Sequence, residues 1–132
     1  MNQTVLFLCP HNAAKSVIAA AYFNQMVQEA GLAWIGDSAG TEPSEKVAPV
    51  VVDMLNREGL DVSQFTPRHT SPDELQAVAR VVSIGCTPEE LGDAAPRAEY
   101  WDDVPPVSQD AEGSRSAIQQ HVKQLVSELT AQ

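Results

Sequence analysis

A chain of 132 residues has the size of one domain, and its 43% hydrophobic content suffices for one packed core, which excludes a disordered polymer. Eight Lys and Arg against 18 Asp and Glu leave a net charge of −10, which argues against nucleic acid held through its phosphates. No apolar run nears the ~20 residues of a membrane span, no secretory leader is visible at the start, and two cysteines are too few for a disulfide scaffold; the expectation is one domain over residues 1–132, cytoplasmic, with reduced thiols and no membrane partner.

Thr4 to Leu8 reads as a first, buried strand, and a helix follows from about Ser16 to Ala30. Ser16 is the expected N-cap and Gly31 the stop, with Val17, Ile18, Ala21, Tyr22 and Met26 on the buried face. Ala33-Trp34-Ile35 leads into Gly36-Asp37-Ser38-Ala39-Gly40, a second strand ending in a turn. Val47, Val50, Val51, Met54 and Leu55 fall at helical spacing, closed by Gly59. Ser71-Pro72-Asp73-Glu74-Leu75 predicts a short capped helix, Val81 to Ile84 a third strand and Ala98 to Trp101 a fourth. Ile118, Val122, Leu125, Val126 and Leu129 mark one face of a last helix. This alternation predicts an α/β fold: a single-domain, open, parallel four-stranded sheet with helices on both faces.

Ligands of such sheets bind beyond the carboxyl ends of the strands, where Cys9 falls. Cys9-Pro10-His11-Asn12-Ala13-Ala14-Lys15-Ser16 joins the first strand to a helix start. Backbone N–H groups converge on an anion at such a junction, and the helix dipole adds positive potential. That potential favours a thiolate at Cys9, which makes it a nucleophile toward a bound tetrahedral oxyanion. Lys15 adds a fixed positive charge at a helix start, where a cation without an anionic partner is unfavourable.

The same loop resembles the phosphate loop of the low-molecular-weight protein tyrosine phosphatases, a superfamily that includes thioredoxin-linked arsenate reductases. Asp37-Ser38-Ala39-Gly40-Thr41, Lys46-Val47-Ala48-Pro49, Glu58-Gly59-Leu60-Asp61-Val62 with Arg68, and the Trp101 segment are similar to further family motifs, so the likeness covers essentially the whole chain. The resemblance implies that Cys9 forms a phosphocysteine while His11, Asn12, Ala13, Ala14, Lys15 and Ser16 bind the phosphate, Asn12 bracing the turn and Ser16 donating to the thiolate. It implies no cofactor and no metal, and His69 and His121 lack the spacing of metal ligands.

Three departures stand out. Lys15 replaces the family's arginine, and losing a planar fork on two phosphate oxygens could cost roughly 2–4 kcal/mol of transition-state stabilisation. Ala13-Ala14 stands where the family commonly carries a serine and a second cysteine. In Trp101-Asp102-Asp103-Val104-Pro105-Pro106 a proline occupies the place of the family's general acid, a group typically worth 10²–10⁴-fold. Asp102 and Asp103 remain candidates for that role. Trp34 and Trp101 read as packing residues.

Cys86 has two readings: a buried bystander thiol, or the resolving thiol that the resemblance to arsenate reductases implies, with a disulfide to Cys9 requiring Cα atoms within ~7 Å. The family pattern has two cysteines in that region, and only one is present here. The expected activity is hydrolysis of phosphotyrosine-like monoesters through Cys9. Its rivals are arsenate reduction resolved by Cys86 or by an external thiol (thioredoxin or glutathione), and a catalytically weakened module that only binds phosphate or arsenate.

Overall fold

The strand β1, Gln3–Leu8, is the innermost element of a computed structural model that describes residues 3–131. Residues 5–8 are buried on both sides because the strand sits mid-sheet and is covered on each face, hence the unbroken Val-Leu-Phe-Leu run. The sheet order is β2-β1-β3-β4, with β2 at Trp34–Ala39, β3 at Arg80–Ser83 and β4 at Ala98–Tyr100. Every pairing is parallel, so the expected open, four-stranded α/β architecture is the one observed.

Alternation along β1 divides the core. Val5 and Phe7 face the helices α1 (Lys15–Ala30), α2 (Pro49–Arg57) and α5 (Ala111–Thr130), packing with Ile18, Phe23, Leu55, Ile118 and Val122. Leu6 and Leu8 face α3 (Pro72–Ala77), α4 (Pro88–Leu91) and a 3₁₀ helix over Gly92–Arg97, packing with Leu75, Leu91 and Ala94. Burying a side chain the size of Leu or Phe stabilises by about 1.5–3 kcal/mol, so both layers are needed to hold β1 in place.

Several expectations meet corrections. Ser16 is not the N-cap of α1: the helix begins at Lys15, and Ala14, with no side-chain donor or acceptor, holds the cap position. Ala21 and Met26 are only half-buried, whereas Phe23 and Val27 are fully covered, because α1 is wedged between the sheet and α5 and buries more than one stripe. The pair α4 and Gly92–Arg97 has too few apolar residues to show a period. Its one legible mark is the reciprocal capping box between Thr87 and Glu90. Gly31 does end α1, in the left-handed conformation (φ 69°) that glycine adopts without strain. No helix among the described residues is long and apolar enough to cross a membrane.

Candidate active site

Between Leu8 and Lys15 the chain folds into a small bowl at the carboxyl end of β1. Its carbonyls point outward and are tethered there. Pro10 O accepts from the Glu42 amide (2.7 Å), His11 O from Ser44 (2.9 Å) and Ala13 O from Ala48 (2.9 Å). Because the N–H of a trans peptide points opposite to its C=O, the amides of His11, Asn12 and Ala14 point the other way, and among the described residues none of them donates to a protein group. Such a run of inward amides is a nest for an anion. The first turn of α1 carries no acidic side chain, so nothing of opposite intent competes with that anion.

Asn12 holds the bowl's shape. It is fully buried and adopts φ 50°, a conformation that asparagine tolerates better than most residues. Its Oδ1 accepts from the Arg68 amide (3.0 Å), and its Nδ2 donates to Ser16 Oγ (2.8 Å). Ser16 Oγ, accepting from Asn12, lies 3.0 Å from Cys9 Sγ and can donate to a thiolate there, while the Ser16 amide points at the same sulfur from 3.4 Å. This network, not the helix cap, explains the serine. The sulfur therefore sits over the start of α1, which adds its positive end.

The other candidates are placed as follows. Ala13 and Ala14 contribute backbone only. His11 is exposed, its Nδ1 3.0 Å from Glu42 O, so its ring faces the 41–44 turn. Lys15 Nζ donates to the Val104 carbonyl (3.3 Å), tying the bowl to the turns after Trp101. Asp102 is exposed, and after burial its charge is the next influence raising the Tyr100 phenol. Asp103 is bonded to His121 Nε2 (2.7 Å), and that bond holds its carboxyl below the usual range.

Cys86 is buried beside the bowl, 3.9 Å from Thr41 Oγ1. Both cysteines are free thiols. Burial pushes the Cys86 thiol up to about 11, with the Glu90 carboxylate acting in the same direction; the preceding residue, Gly85, packs against the bowl, where a Cβ would stand 3.5 Å from Pro10 Cδ. Gly40, in the Asp37–Thr41 motif, lies beneath the bowl, a supporting role that the motif likeness does not reveal. A Cβ there would stand 2.6 Å from Pro10 O and 2.8 Å from Cys9 O. Arg68, whose amide braces Asn12, is itself clamped by both Glu74 oxygens (3.1 and 2.6 Å) and by Asp37 (3.0 Å). Among the described residues no group of three His, Cys, Asp or Glu is placed to hold a metal.

Residues 4–99 match the model of the low molecular weight phosphotyrosine protein phosphatases. The chain belongs to that family. It is 30% identical over 125 residues to a protein of Halobacterium salinarum provisionally named an arsenate reductase, covering 93% of this chain and 87% of that one. The thioredoxin-dependent arsenate reductase of Corynebacterium glutamicum superposes with a TM-score of 0.76 at 25% identity, over 98% of this chain and 63% of that one. YfkJ of Bacillus subtilis shares the fold at a TM-score of 0.87 and 20% identity, covering 99% and 96% of the two chains. As a member of this family, the chain is an enzyme of the phosphatase or arsenate reductase kind.

Proposed function

We propose that the chain hydrolyses phosphate monoesters through Cys9, with preference for esters whose leaving group departs without help. The observation that supports this reading is the tethering of three bowl carbonyls to Glu42, Ser44 and Ala48, which turns the amides of His11, Asn12 and Ala14 away from those tethers, together with the Ser16 amide directed at the Cys9 sulfur. The sulfur attacks phosphorus as the ester P–O bond breaks, and the leaving oxygen departs with the electron pair. Inward amides take up charge on the equatorial oxygens. Water then attacks phosphorus, the S–P bond breaks with its electron pair staying on sulfur, and a water proton passes to a phosphate oxygen, releasing phosphate and regenerating the thiolate. Lys15 supplies charge but no planar fork.

The preference follows from the 101–107 turns. A general acid must be protonated when the bond breaks. Asp103 is held ionised by His121, and proline stands at the family's acid position. Esters of phosphotyrosine type, with an aryl leaving group, are therefore favoured over alkyl phosphates.

A second reading, arsenate reduction, is favoured by the place of Cys86 next to Gly85, which packs against Pro10 of the bowl, and by the names of the relatives at 25% and 30% identity. There Cys9 displaces water from arsenate, and a second thiol attacks the Cys9 sulfur. The S–S bond forms as the S–As bond breaks, arsenic keeps the electron pair and becomes arsenite, and the thiol proton passes to an arsenite oxygen. Burial holds Cys86 protonated, which favours an external thiol of the thioredoxin or glutathione class as the resolver.

The test is hydrolysis of para-nitrophenyl phosphate by the protein beside its Cys9→Ser variant. Turnover lost in the variant is the expected result. If neither form turns over, arsenate-dependent oxidation of glutathione or reduced thioredoxin decides for the second reading. Unimpaired reduction by Cys86→Ser would assign the resolver to the external thiol, and failure of both activities would leave only oxyanion binding.

A further inference from the structure

Five groups around the turns after β4 are joined in a way that the reaction above does not use. The His121 imidazole lies flat on the Trp101 indole, with ring centroids 4.6 Å apart and planes within 11°. The same imidazole bonds Asp103 through Nε2. One residue further, the Val104 carbonyl accepts from Lys15 Nζ. Trp101 is tilted against Phe7 at 5.8 Å, and its amide donates to Ser83 O, so the indole is a fixed anvil. His121 is equally fixed, since Ile118, Val122 and Leu125 seat its helix in the core.

Residues 101–110 form no helix or strand and contain turns, so no ladder of backbone bonds positions them. Val104 and Val107 pin the segment from beneath by burial. Burial fixes depth, however, and not the direction in which a carbonyl points. The side grip from His121 on Trp101 and Asp103 supplies that direction, because it restrains the two residues on either side of Asp102. Asp103 is largely exposed, so its bond to His121 alone is a weak restraint, and the stack does the larger share.

We infer that His121 is a positioning residue: by stacking on Trp101 and bonding Asp103 it fixes the turn that presents the Val104 carbonyl to Lys15, and so sets where the ammonium stands beside the oxyanion bowl. The inference rests on the reading of Cys9 and Lys15 given above. It also gives Asp103 a use other than proton donation.

The test compares His121→Gln, whose planar amide can both stack and donate, with His121→Leu, which fills the space and does neither. Asp103→Ala removes the acceptor without touching the helix, and serves if His121→Leu does not fold. In a Trp34→Phe background Trp101 is the only tryptophan, and its quenching by acrylamide reports how firmly it is covered. Expected for His121→Leu are stronger quenching and a KM for para-nitrophenyl phosphate raised about threefold to tenfold with kcat changed less, the pattern of a lost binding contribution. His121→Gln is expected to stay near wild type in both.

Equal quenching in all forms, or a Gln variant as impaired as Leu, would overturn the inference. Stronger quenching with an unchanged KM would overturn the link to Lys15. A wild-type protein that neither hydrolyses the ester nor binds inorganic phosphate would sink the reading of Cys9. The quenching comparison alone would then decide whether His121 holds the turn.

Discussion

Ser16 shows how one side chain can be spent on chemistry when its sequence position suggests architecture. A serine at a strand-to-helix junction reads as a helix cap, yet its hydroxyl is committed to Asn12 on one side and to the Cys9 sulfur on the other. Ser16→Ala removes the donor to the sulfur and leaves Asn12 Nδ2 without its acceptor in a buried place. We expect alkylation of Cys9 by iodoacetamide at neutral pH to slow, and kcat on para-nitrophenyl phosphate to fall about 10²-fold, in the range of one lost oxyanion or thiolate donor. An unchanged alkylation rate would show that the hydroxyl does not tune the sulfur. Gly40 is the second decisive position, for a steric reason: any Cβ there meets two backbone carbonyls of the bowl. Gly40→Ala should destabilise by roughly 1–3 kcal/mol, as overpacking does. Inorganic phosphate is expected to raise the Tm of the wild type, and Gly40→Ala should abolish that rise. A variant as stable and as phosphate-responsive as wild type would mean that the bowl yields easily.

At the scale of elements, the segment between β4 and α5 carries the clearest functional question. The family's acid position is taken by proline, and both neighbouring aspartates are otherwise placed, Asp103 on His121 and Asp102 in solvent. Pro105→Asp would restore an aspartate directly before a proline. Leaving-group protonation matters most for poor leaving groups, so kcat/KM on phenyl phosphate should rise by about tenfold or more, while para-nitrophenyl phosphate should change little. An equal rise on both esters would point to a repositioned turn instead of a new acid. The helix α1 makes a complementary point. Its first turn lacks the acidic residues that usually stabilise a helix start, and Lys15 opposes the dipole there. That local cost is consistent with a site kept open for an anion.

For the molecule as a whole, two buried acids link stability to alkaline pH. Burial lifts Cys86 from 9.0 to about 11, and burial with the Glu58 carboxylate lifts Tyr22 from 10.0 to about 12, against the opposing pull of Arg115. Each group holds its proton in the folded state at a pH where the unfolded chain releases it. The unfolded state then binds fewer protons, so stability falls as pH rises from about 9 toward 11 for Cys86 and from about 10 toward 12 for Tyr22. The Tm of the wild type should therefore drop across that window, and Cys86→Ala with Tyr22→Phe should flatten the drop. A double variant with the same slope would assign alkaline unfolding to other groups.

Sequence alone determined the order of strands and helices, the parallel sheet and the place of Cys9 at its carboxyl edge. Those features are written locally, in apolar periods, in stops such as Gly31, and in one contiguous stretch of eight residues from Cys9 to Ser16. The helix at Pro88–Leu91 and the 3₁₀ turn after it escaped because they are too short to have a period. Tertiary structure alone decided which distant partners the side chains of the site take. Lys15 meets Val104 across 89 positions, Asn12 meets Arg68 across 56, and Asp103 meets His121 across 18. Each of these partners is chosen by the packing of separate elements onto the sheet, and a linear pattern carries no term for the angle at which two such elements meet.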